Sequence, residues 1–156
     1  NLSNKEPLHP VRNVTVELYN TANALAGSGN GTVSYNEATG NFTGIVALPN
    51  TIAEGQYLIK VKSPLHLKKL IPGIQTITFN TNQTMAPVTL VAGDTNNDNR
   101  LNIIDYNSII GCYSDLQAAV ACTDALKVQT DLNDDGAVNQ IDYNLFLREI
   151  TVQNGD

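Results

Sequence analysis

The stretch from Asp94 to Asp105 reads DTNNDNRLNIID, and the stretch from Asp131 to Asp142 reads DLNDDGAVNQID. Both carry oxygen-bearing side chains at positions 1, 3, 5, 9 and 12, at an offset of 37 residues (131 − 94). Donors at alternate positions can wrap a calcium ion, a hard cation that takes about six to eight oxygen ligands. This duplication predicts two related calcium loops, named here loop 1 (94–105) and loop 2 (131–142).

Each predicted ligand set combines side-chain oxygens with the backbone carbonyl at position 7. The predicted ligands in loop 1 are Asp94, Asn96, Asp98, Arg100, Asn102 and Asp105. Those in loop 2 are Asp131, Asn133, Asp135, Ala137, Asn139 and Asp142. Position 6 needs a sharp turn, which Gly136 adopts freely and Asn99 tolerates. We expect tighter binding at loop 2, because Gly136 suits that turn and Arg100 places a cation near loop 1.

Apolar residues at helical spacing follow each loop. After loop 1 they are Ile103, Ile104, Tyr106, Ile109 and Ile110, and after loop 2 they are Ile141, Leu145, Phe146 and Ile150. The pattern predicts one helix after each loop.

Apolar residues in the segment from Val11 to Ala92 alternate with polar ones, which predicts half-buried antiparallel strands. The expected strands include Val14–Leu18, Thr32–Tyr35, Phe42–Leu48, Tyr57–Val61, Ile74–Phe79 and Val88–Ala92. Residues 36–40 predict a hairpin loop. Six or seven short strands without a helix are typical of a β-sandwich.

The change of period near Ala92 predicts two domains, a β-sandwich over 1–92 and a calcium-binding domain over 93–156. Charge divides in the same way. Residues 1–92 hold six Lys or Arg against four Asp or Glu, a net of +2, and residues 93–156 hold three against eleven, a net of −8. The halves therefore have different electrostatic roles.

The second half resembles the dockerin family over Gly93–Ile150, on its duplicated loops, on Asp at position 12, and on Asp-Tyr-Asn at 105–107 and 142–144. The resemblance implies a small all-α domain with two F-hand calcium loops, joined by a linker around Leu116–Lys127. It also implies a cohesin-like protein partner. In that family the residues at loop positions 10 and 11 often meet the partner, here Ile103, Ile104, Gln140 and Ile141, although each isoleucine could equally belong to the core.

The first half resembles the immunoglobulin-like and prealbumin-like sandwiches of bacterial surface proteins, on the strands Val14–Tyr19 and Gly55–Val61. The expected fold class is therefore multidomain β + α, as in the sandwich-and-dockerin pairs of cellulosomal and surface proteins. An extracellular or cell-surface location follows from the same resemblance. The expected function is calcium-dependent protein assembly.

Cys112 and Cys122 lie ten positions apart without a zinc-type spacing, which leaves a disulfide or two buried thiols. A disulfide needs the chain to reverse between them, since a straight helix would hold the sulfurs roughly 15 Å apart. The calcium loops and Asn/Thr-rich strands favour an oxidising, extracellular setting and hence the disulfide. Asn1, Asn13, Asn30, Asn41 and Asn82 begin Asn-x-Ser/Thr sequons and are candidate glycan acceptors there.

Several functional classes are disfavoured. A net charge of −6 argues against nucleic acid as a partner. The sequence contains no run of 18 apolar residues, so it predicts no membrane-spanning helix. Neither His9 nor His66 belongs to a recognisable catalytic arrangement, so we expect no enzyme. The start at Asn1 suggests a mature or excised product.

Two alternatives to partner binding remain. The basic stretch of Lys60, Lys62, His66, Lys68 and Lys69 could meet the acidic half of the same chain or of another copy, or could be a solvated face. Contact between copies would give head-to-tail filaments of an extracellular structural protein. Carbohydrate binding is a lesser alternative, since the chain has no Trp to stack on sugar rings.

Overall fold

A computed structural model describes residues 6–114 and 122–156 of the protein. The strands are β1 (Val11–Tyr19), β2 (Leu25–Asn36), β3 (Asn41–Val46), β4 (Gly55–Lys62), β5 (Lys69–Leu70) and β6 (Gln75–Ile77). The helices are α1 (Ile103–Cys112), α2 (Asp124–Thr130) and α3 (Gln140–Glu149). The described part of the chain is thus an antiparallel β structure followed by three short helices.

All six strands belong to one curled sheet with the order β3-β2-β1-β4-β5, and β6 pairs with the start of β4. Strand β1 is central, with Val16 opposite Gly29 of β2 and Val61 of β4. The hairpin between β2 and β3 turns at residues 37–40, as the sequence predicts. The antiparallel β architecture expected for the first half is confirmed.

The inner face of the sheet is apolar because alternate residues of β1 and β4 point to the same side. Leu18, Tyr57 and Ile59 are buried there with Ile52 and Ile71. Gly27 of β2 lies directly beneath Ile52, where a Cβ atom would come within 2.7 Å of the Ile52 side chain. A glycine at this position therefore lets the connection between β3 and β4 close over the sheet.

A second apolar cluster joins the helices to the β part. Ile109 of α1 and Phe146 of α3 are fully buried, and Leu67, from the connection after β4, is buried in the same cluster. The C-terminal residues also cross back, because Asp156 N–H donates to the carbonyl of Lys68 and the Asp156 carboxylate accepts from Leu70 N–H.

The expected fold class is therefore wrong. The described structure is mostly β, with one curled sheet and three short helices, and a separate all-α domain with two F-hand loops is not evident. The physical reason is that helices of 7 and 10 residues are too short to enclose a core alone, so they take Leu67 from the β part. Helical periodicity identified α1 and α3 but could not show what they pack against.

Three local expectations also need correction. Val88–Ala92 is not a strand and makes only an isolated bridge between Ala92 and His66. The expected strand Ile74–Phe79 shortens to β6. The expected linker Leu116–Lys127 overlaps helix α2 from Asp124, and its residues 116–121 lie outside the described part of the chain. Helix α2 was missed because its seven residues are too few for a clear period.

The predicted disulfide is confirmed. Cys112, at the end of α1, is bonded to Cys122, and their Cα atoms lie 4.8 Å apart. Cys112 is also buried in the cluster around Ile109 and Phe146, so the cross-link fixes the chain leading to α2 against the core. No described helix is both long enough and apolar enough to cross a membrane.

Candidate functional site: two acidic loops beside the sheet

Loop 1 is organised by hydrogen bonds among its own residues. The Asn96 side-chain oxygen accepts from Asp98 N–H at 3.0 Å, and the Asp98 carboxylate accepts from Arg100 N–H at 2.8 Å. Asn99 N–H donates back to the Asp94 carboxylate at 3.0 Å. The backbone of Asn99 is left-handed, with a φ of 66°, which is the geometry expected at position 6.

Loop 2 repeats these bonds at the offset of 37 residues. Asn133 accepts from Asp135 N–H at 3.1 Å, and Asp135 accepts from Ala137 N–H at 3.0 Å. Gly136, with a φ of 92°, donates to the Asp131 carboxylate at 2.6 Å. The sequence duplication is therefore also a duplication of loop conformation.

The aspartate at position 12 closes each loop onto its helix. Asp105 is fully buried and accepts from Thr95 N–H at 2.9 Å and from Asn102 N–H at 3.0 Å. Asp142 is equally buried and accepts from Leu132 N–H at 2.8 Å and Asn139 N–H at 2.9 Å. Because Asn102 and Asn139 also cap α1 and α3, each loop and its helix form one connected unit.

Both loops are attached to the β part through the residue at position 4. The side-chain oxygen of Asn97 in loop 1 accepts from Leu65 N–H at 2.8 Å. In loop 2 the Asp134 carboxylate accepts from His9 N–H at 2.9 Å and pairs with Arg12 of β1 at 3.2 Å. Sequence analysis missed both residues, because position 4 lies outside the ligand pattern.

Asp94, at position 1 of loop 1, has one carboxylate oxygen with hydrogen-bond partners and one without. Its side chain is fully buried, and its Oδ2 accepts from Asn99 N–H and from the ammonium of Lys62 at 2.7 Å. Its Oδ1 has no hydrogen-bond partner. A buried carboxylate oxygen without a partner is costly, so this atom favours a ligand that supplies positive charge.

In loop 2, the buried carboxylates Asp131 and Asp142 have raised pKa values. Burial raises the pKa of Asp131 above its usual range, and Asp142 and Asp135 raise it further by repulsion, against hydrogen bonds from Gly136 and Asp135 N–H. Burial likewise raises the pKa of Asp142. Carboxylates that resist ionisation together are stabilised by a bound cation.

These observations test whether calcium fits. Within residues 6–114 and 122–156, no three His, Cys, Asp or Glu side chains are gathered into a ready metal cage. The predicted ligand sets include Asn side chains and backbone carbonyls beside their carboxylates, which is the donor chemistry that calcium prefers. The unpartnered Oδ1 of Asp94 provides a vacant donor in loop 1. The donor chemistry of the predicted ligands is therefore compatible with calcium, and calcium binding stays a prediction.

The residues expected to meet a partner lie at the starts of α1 and α3. Ile103 and Ile104 expose 65% and 56% of their surface, and Ile141 exposes 42%. Gln140 is also exposed. None of these four residues belongs to the buried core of the described chain, so the core alternative for them does not hold.

The basic stretch mostly meets acidic groups of its own chain. Lys62 pairs with Asp94, Lys68 pairs with Glu17 at 2.7 Å, and Lys69 lies 3.8 Å from Asp156. Burial raises the pKa of Glu17, but the hydrogen bonds from Lys68 and Tyr19 outweigh it, and the net pKa is lowered. Of the three interpretations of this stretch, contact with the acidic half of the same chain is observed at Lys62 and Lys69.

His66 lies beside Arg12, the residue of β1 that pairs with Asp134 of loop 2. Its Nδ1 lies 2.8 Å from the Pro64 carbonyl and its Nε2 lies 3.2 Å from the Arg12 guanidinium. A carbonyl only accepts and a guanidinium only donates, so the imidazole is neutral with its proton on Nδ1. Burial lowers the pKa of His66, and the nearby charges of Arg12 and Lys62 lower it further.

The candidate glycan acceptors Asn13, Asn30, Asn41 and Asn82 are all exposed, whereas Asn1 lies outside the described residues. Asn30 accepts a hydrogen bond from the Thr15 hydroxyl at 2.8 Å. Their glycosylation stays a prediction.

Comparison with known proteins gives a likeness of fold. No protein-family model matches the chain, and no curated protein matches it. It is similar to a chain in two crystal structures of a type II Cohesin-X-Dockerin complex from Acetivibrio cellulolyticus, one an N-terminal and the other a C-terminal interface mutant. The matches have 20% and 19% identity and TM-scores of 0.58 and 0.57, and both cover 94% of this chain and 85% of the other.

The protein thus shares the fold of a component of cohesin–dockerin complexes, and at this identity the likeness is of fold alone. The match spans the sheet and the helices together, which agrees with the correction of the expected fold class. Membership of the dockerin family does not follow from it. The boundary near Ala92 stays a prediction.

Proposed function

We propose that this protein is a calcium-dependent protein–protein assembly module. The observation that carries the proposal is the fully buried Asp94, whose Oδ1 has no hydrogen-bond partner, in a loop whose bond from position 6 to position 1 recurs in loop 2. Two calcium ions, one per loop, would satisfy these carboxylates. The proposed role is assembly, and it assigns the protein no catalytic step.

The proposed partner is a cohesin-like protein at an extracellular or cell-surface location. Two features support this choice: the fold shared with a chain of Cohesin-X-Dockerin complexes, and the exposed Ile103, Ile104 and Ile141 at the helix starts. Exposed aliphatic side chains beside a structured loop provide the apolar centre that protein interfaces need. Calcium would act by fixing the loops from which these helices begin.

Calcium removal provides the first test. Circular dichroism and light scattering after size exclusion are compared in millimolar calcium and in EDTA. Each filled site stabilises the fold by about 2.7 kcal/mol when calcium exceeds Kd a hundredfold, so EDTA should lower the melting temperature and helical signal. Identical melting curves in both conditions would contradict calcium binding.

Matched variants locate the ions. Asp98→Ala and Asp135→Ala each remove one predicted ligand, whereas Glu37→Ala removes an exposed acid from the hairpin turn. Only the first two should weaken calcium binding by calorimetry. Isothermal titration with a type II cohesin domain then tests the partner. Calcium-dependent polymers in place of cohesin binding would instead identify a self-assembling filament subunit.

A further inference from the structure

The two loops differ in the charge that reaches their first carboxylate. In loop 1 the Lys62 ammonium donates to Asp94 Oδ2 at 2.7 Å. In loop 2 the Asp131 carboxylate accepts hydrogen bonds from the backbone N–H groups of Asp135 and Gly136. Among the described residues, no Lys or Arg forms an ion pair with it. The fixed cation of loop 1 therefore lies on its first carboxylate, whereas Arg12 in loop 2 pairs with Asp134, which is outside the predicted ligand set.

Lys62 is held in this position from two sides. It is the last residue of β4, and its ammonium also donates to the His66 carbonyl at 2.9 Å. Its side chain is 21% exposed, whereas Asp94 is fully buried, so the pair is largely shielded from water. Shielding strengthens the interaction of this ammonium with any other charge in loop 1.

The same ammonium has opposite effects with and without calcium. Without the ion, it neutralises one of the three carboxylates predicted as ligands in loop 1 and keeps the loop attached to β4. With the ion, it repels a divalent cation coordinated by the same carboxylate. Loop 2 contains three ligand carboxylates, and its Asp131 is held by backbone N–H groups without any such ammonium.

We propose that Lys62 is a resident counter-cation that sets the order of calcium uptake, so that loop 2 fills first and loop 1 fills last. This inference rests on the proposed calcium function. It replaces the sequence-based argument from Arg100, since among the described residues the cation that reaches a loop 1 carboxylate is Lys62. Loop 1 would respond to calcium only at concentrations that already saturate loop 2.

The test uses stepwise addition of calcium to the full chain, followed by calorimetry and by the ¹H–¹⁵N resonances of Asn99 and Gly136. These two amides donate to Asp94 and Asp131, so each reports on its own loop. In the wild type, the Gly136 resonance should move at a lower calcium concentration than the Asn99 resonance. This order is measurable without any variant.

Lys62→Met removes the ammonium and should tighten calcium binding at loop 1 by at least roughly tenfold, because it removes a like charge a few ångströms from the ion. Lys60→Met is the matched control. Lys60 is on the same strand two residues earlier, and its ammonium lies 4.6 Å from the Tyr19 ring centre rather than in a loop. This control should leave both sites unchanged.

The outcomes separate the two proposals. If the wild type binds no calcium, the proposed function fails. If it binds two ions but Asn99 responds first, or Lys62→Met and Lys60→Met behave alike, the role of Lys62 fails while the calcium function stands. Should Lys62→Met unfold without calcium, Lys62→Gln, which removes the charge and keeps a hydrogen-bond donor, replaces it in the same comparison with Lys60→Met.

Discussion

Asn97 and Asp134 occupy position 4 of loop 1 and loop 2, both with a backbone φ of 59°, and both accept a hydrogen bond from a backbone N–H of the β part. The duplicated loops are therefore attached to the sheet in the same way. The attachment lies beside an apolar core in which Leu67, from the connection between β4 and β5, is buried with Ile109 and Phe146.

Replacing either position-4 residue with glycine should weaken the attachment. Glycine keeps the left-handed backbone and removes only the accepting side chain, so Asn97→Gly and Asp134→Gly should each cost roughly 1–3 kcal/mol. The Asp134 change should cost more, because it also leaves Arg12 without its carboxylate. Urea unfolding measures both.

Asn23→Gly is the matched control. Asn23 also has a φ of 59°, but its side chain makes no hydrogen bond within the described part of the chain. The control should change stability by about 0.5 kcal/mol or less, since it alters mainly the unfolded chain. Equal losses in all three variants would mean that the side chains of Asn97 and Asp134 contribute nothing.

His66 should make stability depend on pH. Burial lowers the pKa of His66 in the folded protein, with help from Arg12 and Lys62 and against Asp94 and the Pro64 carbonyl. The unfolded chain takes up the proton first, near pH 6.5. This contribution is therefore fully present above about pH 6.5 and is lost as the pH falls below that value.

The measurement is urea unfolding of the wild type and His66→Gln at several pH values between 5 and 8, in saturating calcium. The stability difference between the two proteins should shrink as the pH falls below about 6.5. A difference that stays constant over this range would show that His66 keeps its ordinary pKa in the fold.

The sequence could predict the features that depend on residues close together in the chain, and it could not predict those that depend on distant residues. Spacing in the chain located both loops, α1, α3 and most strands, because those patterns are local. It could not show that Leu67 enters the helical core or that Lys62 reaches Asp94, because both contacts join distant residues. The expected all-α domain failed for that reason.

The same limit applies inside the site. The ligand spacing identified Asp94 and Asp131 as equivalent, and their hydrogen bonds to Asn99 and Gly136 agree with this. Sequence reasoning could not identify Lys62 as the second partner of the Asp94 carboxylate. The basic stretch from Lys60 to Lys69 predicted that this surface could meet an acidic half. It did not predict which lysine contacts which carboxylate.

The exposed isoleucines should affect binding and not folding. Ile103→Ser combined with Ile104→Ser removes apolar surface that is 65% and 56% exposed, so urea unfolding should change little. Affinity for a type II cohesin domain should fall at least roughly tenfold if these residues form the centre of the interface. Ile45→Ser, on β3 and 80% exposed, is the control and should bind normally.

Two glycines should respond oppositely to alanine. A Cβ on Gly155 would collide with the Asn99 side chain, which accepts from Lys68 N–H at 2.7 Å, so Gly155→Ala should destabilise the fold by about 1–3 kcal/mol. Gly111 lies within α1 with nothing near its missing Cβ, and Gly111→Ala should stabilise by about 0.5–1 kcal/mol. Urea unfolding compares them directly. If Gly155→Ala is as stable as the wild type, the C-terminal residues are not held against loop 1, and the contact between Asn99 and the β part does not depend on them.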